Sequence, residues 1–244
     1  MLDPKSNQCV GRVVGLWRYP VKSMAGEPLS DTEVSWHGLA GDRRWAFVRG
    51  DAPNSGFPWF TLREKSDMSR YRPSFADPSR PDKSRTVVTT PTGERLDVTD
   101  PALLATLDPG SEGVRVIKND RGVFDTFPLS VITTSTIAEL GNRVGQSLAV
   151  ERFRPNIVVE LADDVPFVED QWVGRELQIG TLRMRIDKRD GRCVVITIDP
   201  KTFERNTDIL KTVARERQGC LGVYGSTVEP GRVAVDDNVL VVAG

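Results

Sequence analysis

The sequence predicts a mainly β chain with some α, built as a barrel or sandwich. Three observations carry this. Short runs rich in β-branched and aromatic residues recur along most of the chain. Gly, Pro, Asp and Asn clusters separate them at short intervals. Neither a GxxxxGK[ST] nor a GxGxxG motif occurs, so a nucleotide-binding doubly wound sheet gets no support. Many short strands divided by turns suit closure into a barrel.

In chain order, "VGRVVGLWRYPV" reads as a strand, followed by the turn "SMAGEP". "SWHGLAGD" reads as a turn after a strand, and "RRWAFV" as the next strand. Residues 50–56 are loop-like, and "LREKSDMSRY" is a weak helix candidate ended by Pro73. A Pro-rich stretch over 73–84 leads to "RTVVTT", "PTGE", the break "DPGSEG" and the strand "VRVIK". A domain boundary is expected near residue 120, dividing the chain into 8–119 and 120–244.

The second part holds two helices. "TTSTIAELGNRVG" offers a Thr or Ser cap and aligns Ile137, Leu140 and Val144. "NTDILKTVARERQG" starts at Asn206 or Thr207, aligns Ile209, Leu210 and Val213, and closes on basic residues and a glycine. "NIVVEL", "LQIGTLRMRI", "RCVVITID" and "NVLVV" read as strands.

Lys and Arg total 33 against 34 Asp and Glu, a net charge of −1. Affinity for nucleic acid or an anionic membrane rests on concentrated positive charge, so neither partner is expected. No stretch approaches the roughly 18 apolar residues of a membrane helix, and the first ten residues lack the apolar core of a secretory signal. A soluble, cytoplasmic protein is expected. Cys9, Cys193 and Cys220 are too few and too scattered for a disulfide framework. His37 is the one histidine, so a His-rich zinc site is excluded. In its turn it reads as a surface residue rather than a base.

Four segments could carry chemistry. In "YPVKSMAGE", Lys22 and Ser23 precede a turn and suit a phosphate, as charge plus hydroxyl donor; a solvated turn is the alternative. In "GLAGDRRW", alternation sends Arg43 and Arg44 to opposite faces, and the inward one needs an anion, from a ligand or from Asp42 or another acid. In "FRPNIVVEL", Arg154 and Asn156 share a face if the chain is extended, forming either a ligand edge or a cap on backbone groups. In "KRDGRC", Asp190-Gly191 signals a tight turn that would place Cys193 at the start of a strand. Lys188, Arg189 and Arg192 surround this thiol, and neighbouring cations lower a thiol pKa from its usual value of about 8.5. Cys193 could be a reactive thiolate or metal ligand, or it could be buried filling. Cys9 and Cys220 read as structural.

Taken in order, "YPVKSMAGE", "GLAGDRRWAFV", "TLRE", "FRPNIVV", "F-VEDQW", "RCVVITIDP" and "GVYGSTVEPGRVAVDDNV" resemble proteins built of an N-terminal β-barrel MOSC-associated domain and a MOSC-type β-barrel with flanking helices. The resemblance covers residues 10 to 242 and includes amidoxime-reducing molybdenum enzymes. It implies molybdenum cofactor, Mo-molybdopterin, with Cys193 as the thiolate ligand to molybdenum and Arg192 beside it. It implies cofactor-binding roles for Lys22, Ser23, Arg43, Asp125, Thr126, Arg154, Asn156, Arg192 and Tyr224, in a cleft between the two parts. No pyridoxal phosphate is expected. The implied activity is reduction of N-hydroxylated compounds: hydroxylamines, amidoximes and N-hydroxylated bases. The alternative is a non-catalytic carrier of the cofactor or of a persulfide, and a metal-free cysteine enzyme ranks last. Asp190 stands where close relatives often have a second cysteine, and Val223 where they have a polar residue. No CxxxxCxxC occurs, so electrons are expected from a separate donor protein: a ferredoxin, flavin reductase or cytochrome-type partner.

Overall fold

The computed structural model describes residues 7–50, 56–107 and 113–243. The loop-like stretch at 50–56 and the "DPGSEG" break therefore lie largely outside the described residues. In chain order the strands begin with β1 (Gln8–Arg18), β2 (Glu27–Leu29), β3 (Asp31–Ser35), β4 (Gly38–Leu39), β5 (Trp45–Arg49) and β6 (Trp59–Phe60). They continue through β7 (Arg72–Phe75), β8 (Thr86–Thr89), β9 (Arg95–Asp97), β10 (Val114–Lys118), β11 (Leu129–Thr133) and β12 (Ile157–Leu161). The last are β13 (Glu176–Ile179), β14 (Leu182–Gly191), β15 (Cys220–Glu229), β16 (Gly231–Ala234) and β17 (Asn238–Val241). The helices are α1 (Pro101–Leu107), α2 (Thr134–Val144) and α3 (Thr207–Arg217).

These elements form two compact units that interleave along the chain. The first comprises residues 1–17, 28–40 and 126–244; the second comprises 18–27 and 41–125. In the first, the sheet order β12-β11-β15-β14-β13-β17-β1 closes through β12 and β1 into a seven-stranded barrel. Closure needs a glycine. Gly11 of β1 lies opposite Leu161 of β12, and a Cβ on it would stand 2.1 Å from the Glu160 carbonyl oxygen. Alternate residues of the strands fill the barrel: Val13, Leu16, Val131, Ile157, Val159, Met184, Ile186, Val223 and Val239 are all buried.

Two helices cover the barrel's outside. Thr133 caps α2 by accepting from the Thr136 amide at 3.2 Å, and left-handed Gly145 ends it. Asn206 caps α3, accepting from the Asp208 amide at 3.0 Å. Ile137 and Leu140 of α2 and Ile209 and Val213 of α3 pack with Ile132, Val158, Ile196 and Leu221. This is the face that the helical spacing predicts. The left-handed residue closing α3 is Gln218 rather than the expected glycine, and Gly219 follows with positive φ.

The second unit carries the sheets β10-β5-β6 and β7-β8-β9, with Phe47, Met68, Tyr71, Val88 and Leu103 among its buried residues. The weak helix candidate after Thr61 is only a 3-10 segment, Ser66–Arg70, and Pro73 sits inside β7. Helix α1 was not foreseen. Its start is legible in hindsight: Asp100 accepts from the Ala102 amide at 2.9 Å and Pro101 takes the first helical position.

Three local expectations are corrected. "LQIGTLRMRI" is a hairpin, β13 and β14, turning at Gly180 with φ 55°. "RCVVITID" is not a strand: Val194–Thr197 form a 3-10 turn. Three adjacent apolar residues lack the alternation of a half-buried strand, and the turn buries Ile196 while leaving Val194 half-exposed. "KRDG" is not a tight turn. It is the end of β14, because β15 supplies a paired edge as far as Gly191 opposite Cys220.

Candidate functional site

Within the barrel unit the ladder stops at Gly191, and the chain continues extended through Cys193 at φ −125° and ψ −176°. The thiol is half-buried. Cys193 thus stands beyond the strand end, where the sequence placed it at a strand start. The Arg192 amide donates to the Gly219 carbonyl at 2.8 Å, the last backbone bond before the turn. Arg192's side chain is 7 % exposed and directed into the protein. It donates to the Leu221 carbonyl at 2.7 Å and the Phe153 carbonyl at 2.8 Å, and it pairs with Asp190 at 2.9 Å.

The Arg154–Asn156 segment does not run extended as expected. Arg154 has φ 52°, left-handed backbone after the 3-10 turn Val150–Arg152, so it and Asn156 do not share a face by strand alternation. Asn156 is 1 % exposed. Its side-chain oxygen accepts from the Ser130 amide at 3.2 Å, and its amide group donates to the Trp17 carbonyl at 3.2 Å. Those bonds tie β1 to β11 ahead of β12, the backbone-capping alternative of the sequence reading. Tyr224, half-buried on β15, lies opposite Ser130 and Lys188 in the ladders, with its ring centroid 6.4 Å from that of Phe127. Thr126 is exposed.

Within the second unit Lys22 is 7 % exposed. Its ammonium donates to the Val123 carbonyl at 3.1 Å and to the Asp125 carboxylate. Arg63 approaches the same carboxylate at 3.5 Å and lies 4.4 Å from the Phe57 ring. Burial pushes the Asp125 carboxyl up, but the charge and hydrogen bond of Lys22, with Arg63 and Arg43 behind, hold it below the usual carboxylate range. Lys22, Arg43 and Arg63 therefore converge on one acid of lowered proton affinity. Arg63 was missed by the sequence reading, which used "TLRE" only as part of a pattern.

Arg43 and Arg44 do not alternate within a strand, because Arg43 has φ 50° and β5 begins at Trp45. Each arginine nevertheless finds the acid that burial demands. Arg43 pairs with fully buried Asp42 and stacks 4.6 Å over Tyr19, and Arg44 pairs with Asp82 at 2.8 Å. Ser23 has φ 70°. Three nominated residues, Ser23, Arg43 and Arg154, thus hold left-handed backbone without being glycine. Such strain concentrates at functional sites. His37 is exposed in the turn between β3 and β4, as expected.

Among the described residues no three His, Cys, Asp or Glu side chains gather as a metal cluster. A metal bound to this chain through Cys193 would take one sulfur from the protein and its other ligands from elsewhere.

The chain belongs to the MOSC family: the MOSC domain matches residues 118–240 and the MOSC N-terminal beta barrel domain residues 10–120. Mitochondrial amidoxime reducing component 2 of Homo sapiens is 27 % identical over 95 % of this chain and 84 % of its own length. Molybdenum cofactor sulfurase of Drosophila grimshawi is 26 % identical over 92 % of this chain, which spans 33 % of that protein. The YUAD protein of Bacillus subtilis shares the fold, with TM-score 0.54 over 95 % of both chains at 14 % identity. Relatives of this kind point to a function associated with molybdenum cofactor.

Proposed function

We propose that this protein is a molybdenum-cofactor-dependent reductase of N-hydroxylated compounds, with Cys193 as the thiolate ligand to the metal. The observation that carries the reading is the place of Cys193. It is half-buried beyond the last rung of β14 and is not among the residues of the barrel core. The chain's residues fit the group. A half-buried cysteine past a strand end suits a metal whose remaining ligands are brought by an organic cofactor. Lys22 and Arg63 on Asp125, with Arg43 on Asp42 close by, set three cations against two carboxylates, and that net positive charge suits an anionic group such as a phosphate monoester.

In this reading Lys22, Ser23, Arg43 and Arg154 hold the anionic and polar edges of the cofactor. Thr126 and Tyr224 offer hydroxyls to it, and Asn156 keeps the Arg154 loop in register. When bound, the cofactor supplies a two-electron centre able to accept an oxygen atom from an N–OH group. The overall conversion consumes two electrons and two protons and yields the amine, or the parent amidine or base, and water. The electrons come from a separate donor protein. No helix among the described residues is long and apolar enough to cross a membrane.

A second reading follows from the match to molybdenum cofactor sulfurase. In it the chain carries the cofactor, or a persulfide on Cys193, for another enzyme. Purification from a host that makes the cofactor decides the first point: one molybdenum per chain is expected, lost in Cys193→Ala. Metal-free wild-type protein from such a host overturns the proposal. Loaded protein that never consumes a hydroxylamine with a chemical reductant favours carriage.

A further inference from the structure

We infer that Arg192 is a positioning residue for Cys193, working as a latch with Asp190 rather than as a ligand to cofactor; this rests on the reading of Cys193 given above. The argument begins with what holds the thiol. The β14–β15 ladder ends at Gly191, two residues before Cys193, and Ile196 donates back to the Cys193 carbonyl at 3.2 Å to open the 3-10 turn. The side chain of the residue between them anchors this segment. The Arg192 guanidinium reaches three chain segments at once: the end of β14 through Asp190, β15 through the Leu221 carbonyl, and the Val150–Arg152 turn through the Phe153 carbonyl. Each segment carries a nominated residue close by, namely Cys193, Tyr224 and Arg154.

The surroundings are shaped for that guanidinium. Asp190, whose side chain is 2 % exposed, balances its charge out of water. Gly222, at φ 73°, leaves the space it occupies: a Cβ there would stand 3.2 Å from Arg192 Nη2 and 2.8 Å from the Val131 carbonyl oxygen. A planar fork with several fixed donors can bridge two carbonyls and a carboxylate, and a lysine ammonium cannot span them. Asp190 is in this view the counter-charge that lets the latch be buried.

The test uses the full chain with Cys9→Ser and Cys220→Ser, so that Cys193 is its one thiol. The rate of Cys193 alkylation by iodoacetamide is followed by intact mass in the metal-free protein, well below its melting temperature. Arg192→Lys keeps the positive charge beside the thiol and removes the bridge. Alkylation is expected to rise about tenfold, the factor given by losing one or two hydrogen bonds. Exchange of the Ile196 amide should rise with it. Arg189→Lys, which alters an arginine bonded to Gln218 and the Arg217 carbonyl, should stay within twofold of the background. A residue of merely structural importance would lower the melting temperature without moving the Cys193 rate in the folded chain. An Arg192→Lys rate within twofold of the background overturns the inference. If that variant does not fold, Asp190→Asn is read in the same way with the same expected rise. Molybdenum content of Cys193→Ala is scored separately, so failure of the metal reading and failure of the latch are distinguishable.

Discussion

Glu169 offers the sharpest physical test of the barrel unit. It lies in the 3-10 turn Val168–Trp172 and is 0 % exposed. One carboxylate oxygen accepts from the Thr136 hydroxyl at 3.0 Å and the Thr133 hydroxyl at 3.2 Å, beneath the capped start of α2. The other oxygen is buried without a hydrogen-bond partner. Burial pushes the Glu169 carboxyl above its ordinary range; the threonine bonds offset this in part, and neighbouring Asp170 adds repulsion. Between the ordinary glutamate pKa and its raised folded value, the folded chain binds a proton more strongly than the unfolded chain does. That contribution to stability is full below the ordinary glutamate pKa, about 4.3, and is lost as pH rises through the folded value. One linked proton gives a slope of about 1.4 kcal/mol per pH unit inside that window. For a chain of this length the slope corresponds to roughly 3 to 6 °C in Tm per pH unit.

Glu169→Gln keeps the acceptor for both threonines and cannot ionise. Urea melts of both proteins from pH 4 to 8 isolate the effect, because every other carboxylate cancels in the difference. The variant should gain on the wild type as pH rises above the ordinary glutamate pKa. A difference independent of pH, or one that moves against the variant as pH rises, refutes the assignment of a carboxyl with raised proton affinity.

Two further outcomes are expected. Gly222→Ala forces a Cβ against the Val131 carbonyl at a left-handed position, and equilibrium unfolding should show a loss of about 2 kcal/mol or more. Asp125, held below the usual carboxylate range, has the opposite sign to Glu169. Its contribution is present above the ordinary carboxylate pKa and is lost as pH falls through the folded value. Its side chain is 42 % exposed, so after screening the loss is under about 1 kcal/mol. The gap between wild type and Asp125→Asn in chemical denaturation should close between pH 5 and 2.

What the sequence displays and what it conceals follow different physics. Strand runs, helix faces and caps are local, and they stand in the residues themselves: Thr133 caps α2 and Asn206 caps α3, as their hydroxyl and amide chemistry requires. Barrel closure is not local. It depends on β1 meeting β12, 148 residues away at the Arg12–Glu160 pair, and β17, near the other end of the chain, and its one visible trace is an unremarked glycine at position 11. The site was misread for a related reason. Polar "KRDG" suggests a turn when only its own propensities are weighed, but β15 supplies paired edge to Gly191 and overrides them. Cys193 in consequence stands past the end of a strand rather than at the start of one.

Positive φ at Ser23, Arg43 and Arg154 leaves no signature, because non-glycine residues occupy that region only where tertiary bonds compel them. Charged partners are concealed in the same way. Asp125 joins Lys22 across about a hundred residues, and Glu169 in the acidic stretch "VEDQW" is fully buried. In each case the deciding quantity is desolvation, which a residue acquires from what packs over it. Buried ionic groups in this chain are therefore the places where the sequence looks most like ordinary surface, and Arg192 with Asp190 is the instance closest to the thiol.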